Sequence, residues 1–341
     1  MPHAIVLPAA PPLAGLAFRR PQGAADAESF CAIHEARRER DGVDPRSLLE
    51  GIPTVEEMRT ALAAAQDEPE NWLVAQVGPQ VAGYTHIISW PEADGTWVYL
   101  HLGWTLPAWR GRGIGTAMLH WAEDRIRHLT AQEHPGERAE FAGNASRTET
   151  EAAALLLNEG YAVGYLVLEM SLDPRAPLPD LPLPAGLETR PAAPDHYAAM
   201  AACIDESYRN EYPDNRFAER FDAADYAASL ARPRHDPTLW QVAWAGDQVA
   251  GMVLSVVRGD RAEVFEVCVH PNWRRHGLAR VLLGRALRGL RERGQDEIRL
   301  YTNDNFPTRA QDLYRSVGFR LRKEFPRYRK AWEEGQRTAG S

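Results

Sequence analysis

The chain has 341 residues, 44% of them hydrophobic and 25% charged, an ordinary globular composition with length enough for two medium domains that each bury a core. Its formal net charge of −8 supplies no general attraction to nucleic acid or to an anionic membrane, so neither is expected as a partner and any basic cluster must act locally. Three cysteines, Cys31, Cys203 and Cys268, are odd in number and lack a C-x-x-C spacing, which argues against a disulfide framework or a zinc knuckle and fits a reduced cytoplasm.

In chain order, the opening "MPHAIVLPAAPPLAGLAFRR" has no basic start, is broken by prolines and carries its arginines after the apolar part, the reverse of a secretory leader. Residues 24–40, rich in alanine and charge, predict a helix. "WLVAQV" (72–77), the turn "GPQ" and "VAGYTHII" (81–88) predict a hairpin, and "TWVYLHLGWTL" (96–106) a third strand. The basic turn "RGRGIG" (110–115) follows. After it, "GTAMLHWAEDRIRHL" (115–129) spaces apolar residues three or four apart, the pattern of an amphipathic helix. The segment "SLDPRAPLPDLPLPAG" (171–186) holds five prolines, which remove backbone donors, and predicts an extended linker. No run approaches membrane-spanning length.

The same order then returns. A helix is expected at 194–208, a hairpin at "WQVAWA" (240–245), "GDQ" and "VAGMVLSVV" (249–257), and a third strand at "AEVFEVCVH" (262–270). The turn "RRHGLA" (274–279), the amphipathic "ARVLLGRALRGLRERG" (279–294), the strand "EIRLYTN" (297–303), the helix "TRAQDLYRSVG" (308–318) and terminal strand material complete it. Matching landmarks drift smoothly: Trp72 and Trp240 stand 168 apart, Gly113 and Gly277 164, Gly160 and Gly318 158. That is the mark of a duplicated domain whose loops have shortened in one copy. The expected architecture is α/β, with an antiparallel hairpin entering a mixed sheet in each of two tandem domains. These are expected at 1–170 and 187–341, joined by the linker at 171–186 and paired within the chain.

Each basic turn sits where a strand hands over to a helix. The first helical N–H groups there are unpaired and carry partial positive charge, so anions bind. Gly113 and Gly115, and Gly277 and Ala279, keep bulk out of the approach, while Arg110, Arg112, Arg274 and Arg275 can add charge-assisted contacts. A pyrophosphate is the expected ligand. A Walker loop is excluded because no lysine lies near either turn, and a dinucleotide fingerprint fails because a hairpin and third strand precede the turn.

Arg110-x-x-Gly113-x-Gly115 and Arg274-x-x-Gly277-x-Ala279, with the hairpin, the strand and "LYRSVGF" (313–319) in order, resemble the GNAT superfamily of acyl-CoA-dependent N-acyltransferases, whose signature is [QR]-x-x-G-x-[GA]. The resemblance spans nearly the whole chain twice, and the tandem is similar to the mycothiol synthase family. It implies two GNAT-like folds, acetyl-CoA or another acyl-CoA along the turn with its thioester beside the third strand, no metal, and a small-molecule or protein amine as acceptor. By the same implication the CoA contacts fall on Val267, Val269, Arg274, Arg275, His276, Gly277, Leu278, Ala279, Arg280 and Asn305. In the first copy they fall on Arg110, Gly111, Arg112, Gly113, Ile114, Gly115 and Thr116.

The copies differ in chemistry. Attack on a thioester needs a neutral amine, so a carboxylate close to the nucleophile is useful. The second copy offers Glu263 and Glu266, which a regular strand would point to opposite faces. The resemblance places the base at Glu263, with Glu266 as the alternative. It also places Tyr314 beside the departing sulfur. Full proton transfer from a phenol near 10 to a thiolate near 8.5 is uphill by about 2 kcal/mol, so hydrogen bonding is the expected role. The first copy has Tyr99, Leu102 and Leu156 at these positions and is expected to be catalytically degenerate: a structural partner, an idle CoA site or one wall of the acceptor site. Pro307 stands where relatives often have Asn, with Asn303 and Asn305 nearby. Cys268 reads as core, with a ping-pong nucleophile as the alternative, His101 as a partly buried structural histidine, with a substitute base as the alternative, and His270 and His276 lack metal spacing. "SYRNEYPDNRF" (207–217) carries Glu211 and Asp214 in a region resembling the acceptor loop. The reading from another class is a non-catalytic acyl-CoA-binding or sensor protein, against which Glu263 and Tyr314 weigh.

Overall fold

The computed structural model describes residues 4–211, 221–305 and 309–332. The first copy runs β1 (Leu16–Arg19), α1 (Ala27–Arg40), α2 (Val55–Ala64), β2 (Trp72–Val77), β3 (Gln80–Pro91), β4 (Trp97–Thr105), α3 (Ile114–Glu133), β5 (Ala139–Asn144), α4 (Thr150–Asn158) and β6 (Ala162–Leu172). The second runs β7 (Glu188–Thr189), α5 (Tyr197–Glu211), α6 (Ala223–Leu230), β8 (Gln241–Ala245), β9 (Gln248–Arg258), β10 (Arg261–Val269), α7 (Leu278–Glu292), β11 (Ile298–Asn303), α8 (Ala310–Ser316) and β12 (Phe319–Ala331). Local signals set several starts: Thr54 and Glu57 form a reciprocal capping box on α2, and the Asp222 carboxylate accepts from the Ala224 and Asp225 N–H groups to begin α6.

By its contacts the chain divides into two units, Met1–Gly164 with Phe325–Ser341, and Tyr165–Glu324. The division falls inside β6 and β12, whereas the sequence suggested a cut at the linker. In the first unit the sheet order is β1-β2-β3-β4-β5 followed by the end of β12, with β4 and β5 parallel. In the second it is β6-β11-β10-β9-β8-β7, with β10 and β11 parallel. Each sheet is thus completed by a strand from the other copy: Arg327–Ala331 ladders on β5, and β6 ladders on β11. Charge pairing explains this choice. Arg329 meets the buried Glu92 at 3.0 Å and Lys330 meets Glu123 at 2.7 Å in the first unit, while in the second Glu169 on β6 meets Arg299 on β11 at 2.5 Å. Buried carboxylates left without these partners would be strongly destabilising.

The proline segment lies along α7, within the second unit. Arg291 donates to the Ala176 carbonyl at 2.9 Å and Arg288 to that of Pro179 at 3.2 Å. At Gly284 an added Cβ would stand 2.6 Å from the Pro179 oxygen, so this close approach requires glycine. The core of the second unit joins α7, α5 and the β8–β10 ribbon through residues such as Leu282, Leu287, Met200, Val253 and Val264. No helix among the described residues is long and apolar enough to cross a membrane.

Candidate active site

The two basic turns share a backbone. Arg275 (φ 63°) and Gly277 (φ 78°) are left-handed in the second unit, as are Gly111 (φ 70°) and Gly113 (φ 82°) in the first. Two left-handed residues separated by one turn successive N–H groups inward, the concavity that receives anions. For Arg275 that conformation costs on the order of 1–3 kcal/mol, a strain of the kind held at functional sites. Helix α7 starts at this turn with no side-chain cap, and nothing lies within 4 Å of a Cβ built on Gly277. Arg275, His276 and Arg280 are exposed around it, while Leu278 is buried and anchors the helix start. Arg274 works as a staple: its Nε donates to the Val269 carbonyl at 3.1 Å and its Nη2 to that of Ser207 at 3.1 Å.

Beside the turn lies a cleft of about 510 Å³, lined by Ser207, Tyr208, Val264 to Val269, Arg274, Arg275, Ala279, Tyr301, Thr302, Ala310, Leu313 and Tyr314. It exists because β10 and β11 part. Their ladder covers only Ala262–Val264 against Ile298–Leu300, so the edge of β10 beyond it faces the opening. Val267 and Val269 therefore reach the cleft together with Ala279 and Tyr314. Asn305 is exposed past the end of β11 and does not line it. Thr302, on the opposite wall, was not anticipated; its hydroxyl is buried without a partner. Asp214 and Pro307 lie outside the described residues, and Glu211 closes α5.

The expectation that Glu263 and Glu266 face opposite ways is corrected by a β-bulge. Glu263 pairs with Val256, Val264 with Ser255 and Glu266 with Leu254, leaving Phe265 as the extra residue. The inserted residue restores the phase, so both carboxylates point to the α5 face. Glu266 lines the cleft, where it accepts from the Tyr208 hydroxyl at 3.2 Å and the Tyr226 hydroxyl at 3.5 Å. Burial pushes its carboxyl up to about 7 against the opposing pull of those two hydrogen bonds. Glu263 does not line the cleft; it stands 3.7 Å from the Arg258 guanidinium, and burial raises its carboxyl while that arginine, Arg261 and Arg234 pull it down. Tyr208 and Tyr226 escaped the sequence reading because their role depends on α5 and α6 folding over β10; the only local hint was the Asp222 cap that places α6.

Cys268 is buried on the same face, with its sulfur 3.7 Å from that of Cys203 and 3.1 Å from the Ser207 hydroxyl. The Cys203 contact and burial hold its thiol well above the ordinary range, so it stays protonated and is a poor nucleophile. His270 bonds Glu206 at 2.5 Å, and His276 bonds the Arg274 carbonyl at 2.7 Å. Among the described residues no group of three His, Cys, Asp or Glu side chains is placed to hold a metal ion.

The first unit builds the same turn with different neighbours. Arg110 forms a bidentate pair with Asp41 at 2.6 and 2.7 Å and a third contact with Glu151 at 2.9 Å, and Arg40 also pairs with Glu151. Side-chain carbons of Pro11 come within 3.1 Å of a Cβ built on Gly113, and Leu155 within 3.4 Å of one on Gly115. A cleft of about 410 Å³ contains Arg110, Gly111, Gly113, Gly115 and Thr116 with Asp41, Glu149 and Glu151. Ile114 is buried and Arg112 stacks on Trp109 at 4.9 Å. Leu156 and His101 both lie against Gly143, and the buried His101 imidazole is lowered to about 4 by desolvation and is neutral at pH 7. Strand β4 pairs with β3 without a bulge, and Tyr99 is fully buried.

The family model described as Acetyltransferase (GNAT) family matches residues 44–139 and 194–319, once in each copy. A mycothiol acetyltransferase of Clavibacter michiganensis is 32% identical over 232 residues, covering 66% of this chain and 70% of that protein. One from Thermomonospora curvata is 28% identical, covering 84% and 88%. Among solved structures, a GCN5-related N-acetyltransferase from Sphaerobacter thermophilus superposes with a TM-score of 0.72 at 21% identity over 93% of this chain and 95% of that one, a likeness of fold. The repeated strand, left-handed turn and helix, the parted strands beside them and the family match in both copies together show that the chain belongs to the GNAT acetyltransferase family, as a tandem acyl-CoA-dependent N-acetyltransferase.

Proposed function

We propose that the second unit carries the chemistry, taking acetyl-CoA at the Gly277 turn and passing its acetyl group to a primary amine by direct attack. The observation that carries this reading is the continuity of one cleft from the uncapped start of α7 to Glu266 and Tyr314. The pyrophosphate fits the inward N–H groups of residues 275–279, and the open edge of β10 suits an extended arm, with the Thr302 hydroxyl free to meet it. The amine nitrogen attacks the thioester carbon, the carbon–sulfur bond breaks, Glu266 takes the amine proton and Tyr314 hydrogen-bonds the departing thiolate, which is then protonated to the free thiol. Glu266 is preferred to Glu263 as base because it reaches the cleft. A protonated, buried Cys268 favours direct transfer over an acyl-cysteine intermediate. The relatives' name supports a small-molecule acceptor.

The test is thiol release from acetyl-CoA with an amine panel, matched to acetylated product by mass spectrometry. Gly277→Val places a β-branched residue at φ 78°, and is expected to weaken acetyl-CoA binding at least about tenfold. Unchanged affinity by calorimetry in the folded variant would remove the turn from the site.

A further inference from the structure

Past Phe265, on the same face of β10 as Glu266, four arginines converge. Arg258 and Arg261 are paired across the end of the β9–β10 hairpin. They and Arg234 act on Glu263, while Arg232, Arg234 and Arg258 act on His235. The His235 ring lies 5.1 Å from that of Phe265, which lines the cleft, so the cluster adjoins the acetyl-transfer site. Against these four cations stand Glu263 and, on the hairpin turn, Asp260. The ion pair joining cluster and carboxylate, Arg258 to Glu263, is a loose 3.7 Å contact, and Arg234 spends its Nε on His235 at 3.2 Å. Among the described residues neither the Arg232 nor the Arg261 guanidinium has a hydrogen-bond or ion-pair partner, and the Arg261 Nη1 is shut off from solvent as well. A buried guanidinium N–H without an acceptor is costly, and cations gathered without matching carboxylates repel one another even where, as at Arg232, Arg234 and Arg258, they stand exposed. In a chain of net charge −8 such a surplus is a local device rather than a general property.

We infer that the acetyl acceptor is an amine that also carries an anionic group, a carboxylate or a phosphate, seated among Arg232, Arg258 and Arg261 while its nitrogen reaches Glu266. This rests on the acetyl-transfer reading of the same cleft. Glu263 and Glu266 are two ladder steps apart, roughly 7 Å, which is about the span between the amine and the carboxylate of a dipeptide. Arginine suits the task because its planar fork holds either anion through two parallel hydrogen bonds.

The experiment uses the full chain with saturating acetyl-CoA and two matched acceptor pairs, glycylglycine against glycylglycinamide and 3-aminopropyl phosphate against 3-aminopropanol. At least one anionic member is expected to exceed its neutral partner by about 10-fold to 100-fold in kcat/KM, the range for a charge-assisted contact, and the pair showing the larger ratio names the anion. The double variant Arg232→Gln, Arg261→Gln should abolish the preference through KM, leaving kcat for glycylglycinamide and the affinity for acetyl-CoA unchanged. Equal use of neutral and anionic partners by the unaltered protein, or a preference that survives the double variant, overturns the inference. If acetyl-CoA binds but no amine is acetylated, the transfer reading fails on its own. The anion site is then judged by tryptophan-fluorescence titration with glycylglycine: binding that needs the two arginines supports it, and binding indifferent to them, or none, overturns it.

Discussion

Replacing Glu266 by Gln removes the carboxylate while keeping the shape; the amide oxygen still accepts from one of Tyr208 and Tyr226, and the amide nitrogen in place of the other oxygen can only donate. Because burial lifts this carboxyl to about 7, about one-tenth of it is ionised at pH 6 and about nine-tenths at pH 8. The ionised form accepts the proton, so kcat should rise with pH roughly tenfold across that window, with a limb near 7. Glu266→Gln should lower kcat by about 10² to 10⁴ and erase the limb, leaving acetyl-CoA affinity unaltered. Both tyrosines stabilise the carboxylate by donating to it, so Tyr208→Phe or Tyr226→Phe should move the limb to higher pH. The assay is stopped-flow thiol detection from pH 5.5 to 9 at saturating acetyl-CoA and amine, with calorimetry for binding. A limb near 7 that persists in Glu266→Gln would refute the reasoning. So would loss of turnover confined to Glu263→Gln, which would return the base to the residue that the family resemblance favours.

Titration of the intact chain with acetyl-CoA should saturate at one equivalent, because Asp41 and Glu151 already occupy Arg110 and surround the first turn with negative charge; two equivalents of similar affinity would show that this pairing yields to pyrophosphate. Tyr314→Phe deletes only a hydroxyl of the cleft wall, so kcat should fall about tenfold or more while acetyl-CoA affinity holds, as read by the same thiol assay and calorimetry. Gly284→Ala drives a methyl onto the Pro179 carbonyl, whose segment must then lift from α7; a loss of about 1–3 kcal/mol in urea unfolding is expected, and an unchanged midpoint would show that the segment does not need this contact.

The repeat, the hairpins, the third strands, both turns and the amphipathic helices were legible because each is written in local periodicity or in glycine placement. Trp72 and Trp240, or Gly113 and Gly277, mark equivalent points without reference to anything distant. The exchange of β6 and β12 was not legible: whether Arg329 pairs with Glu92 or elsewhere is decided by charges more than two hundred residues apart. The bulge at Phe265 was equally hidden. "AEVFEVCV" alternates almost regularly, and the extra residue shows only when β9 and β10 are laid side by side. Counting along an ideal strand therefore put Glu266 on the wrong face, although the sequence had identified it as a candidate.

The two turns show what local sequence can and cannot carry about a binding site. Their left-handed pairs, Gly111 with Gly113 and Arg275 with Gly277, follow from a few adjacent residues and give nearly the same backbone. Both leading arginines even make the same tie to the preceding strand, Arg110 to the Thr105 carbonyl and Arg274 to that of Val269. What differs arrives from afar. Asp41, 69 residues before Arg110, neutralises one turn, and Pro11 crowds it, whereas in the second Arg274 reaches the Ser207 carbonyl and nothing lies within 4 Å of a Cβ built on Gly277. A shared anion-binding shape is thus compatible with different surroundings, and the copy whose turn is open at Gly277 is also the one with a carboxylate and a phenol in the adjoining cleft. On the reading proposed above, Leu156, which cannot donate to a thiolate, and the acidic neighbours of Arg110 act in one direction, and neither disturbs the core that the sheet of that unit needs.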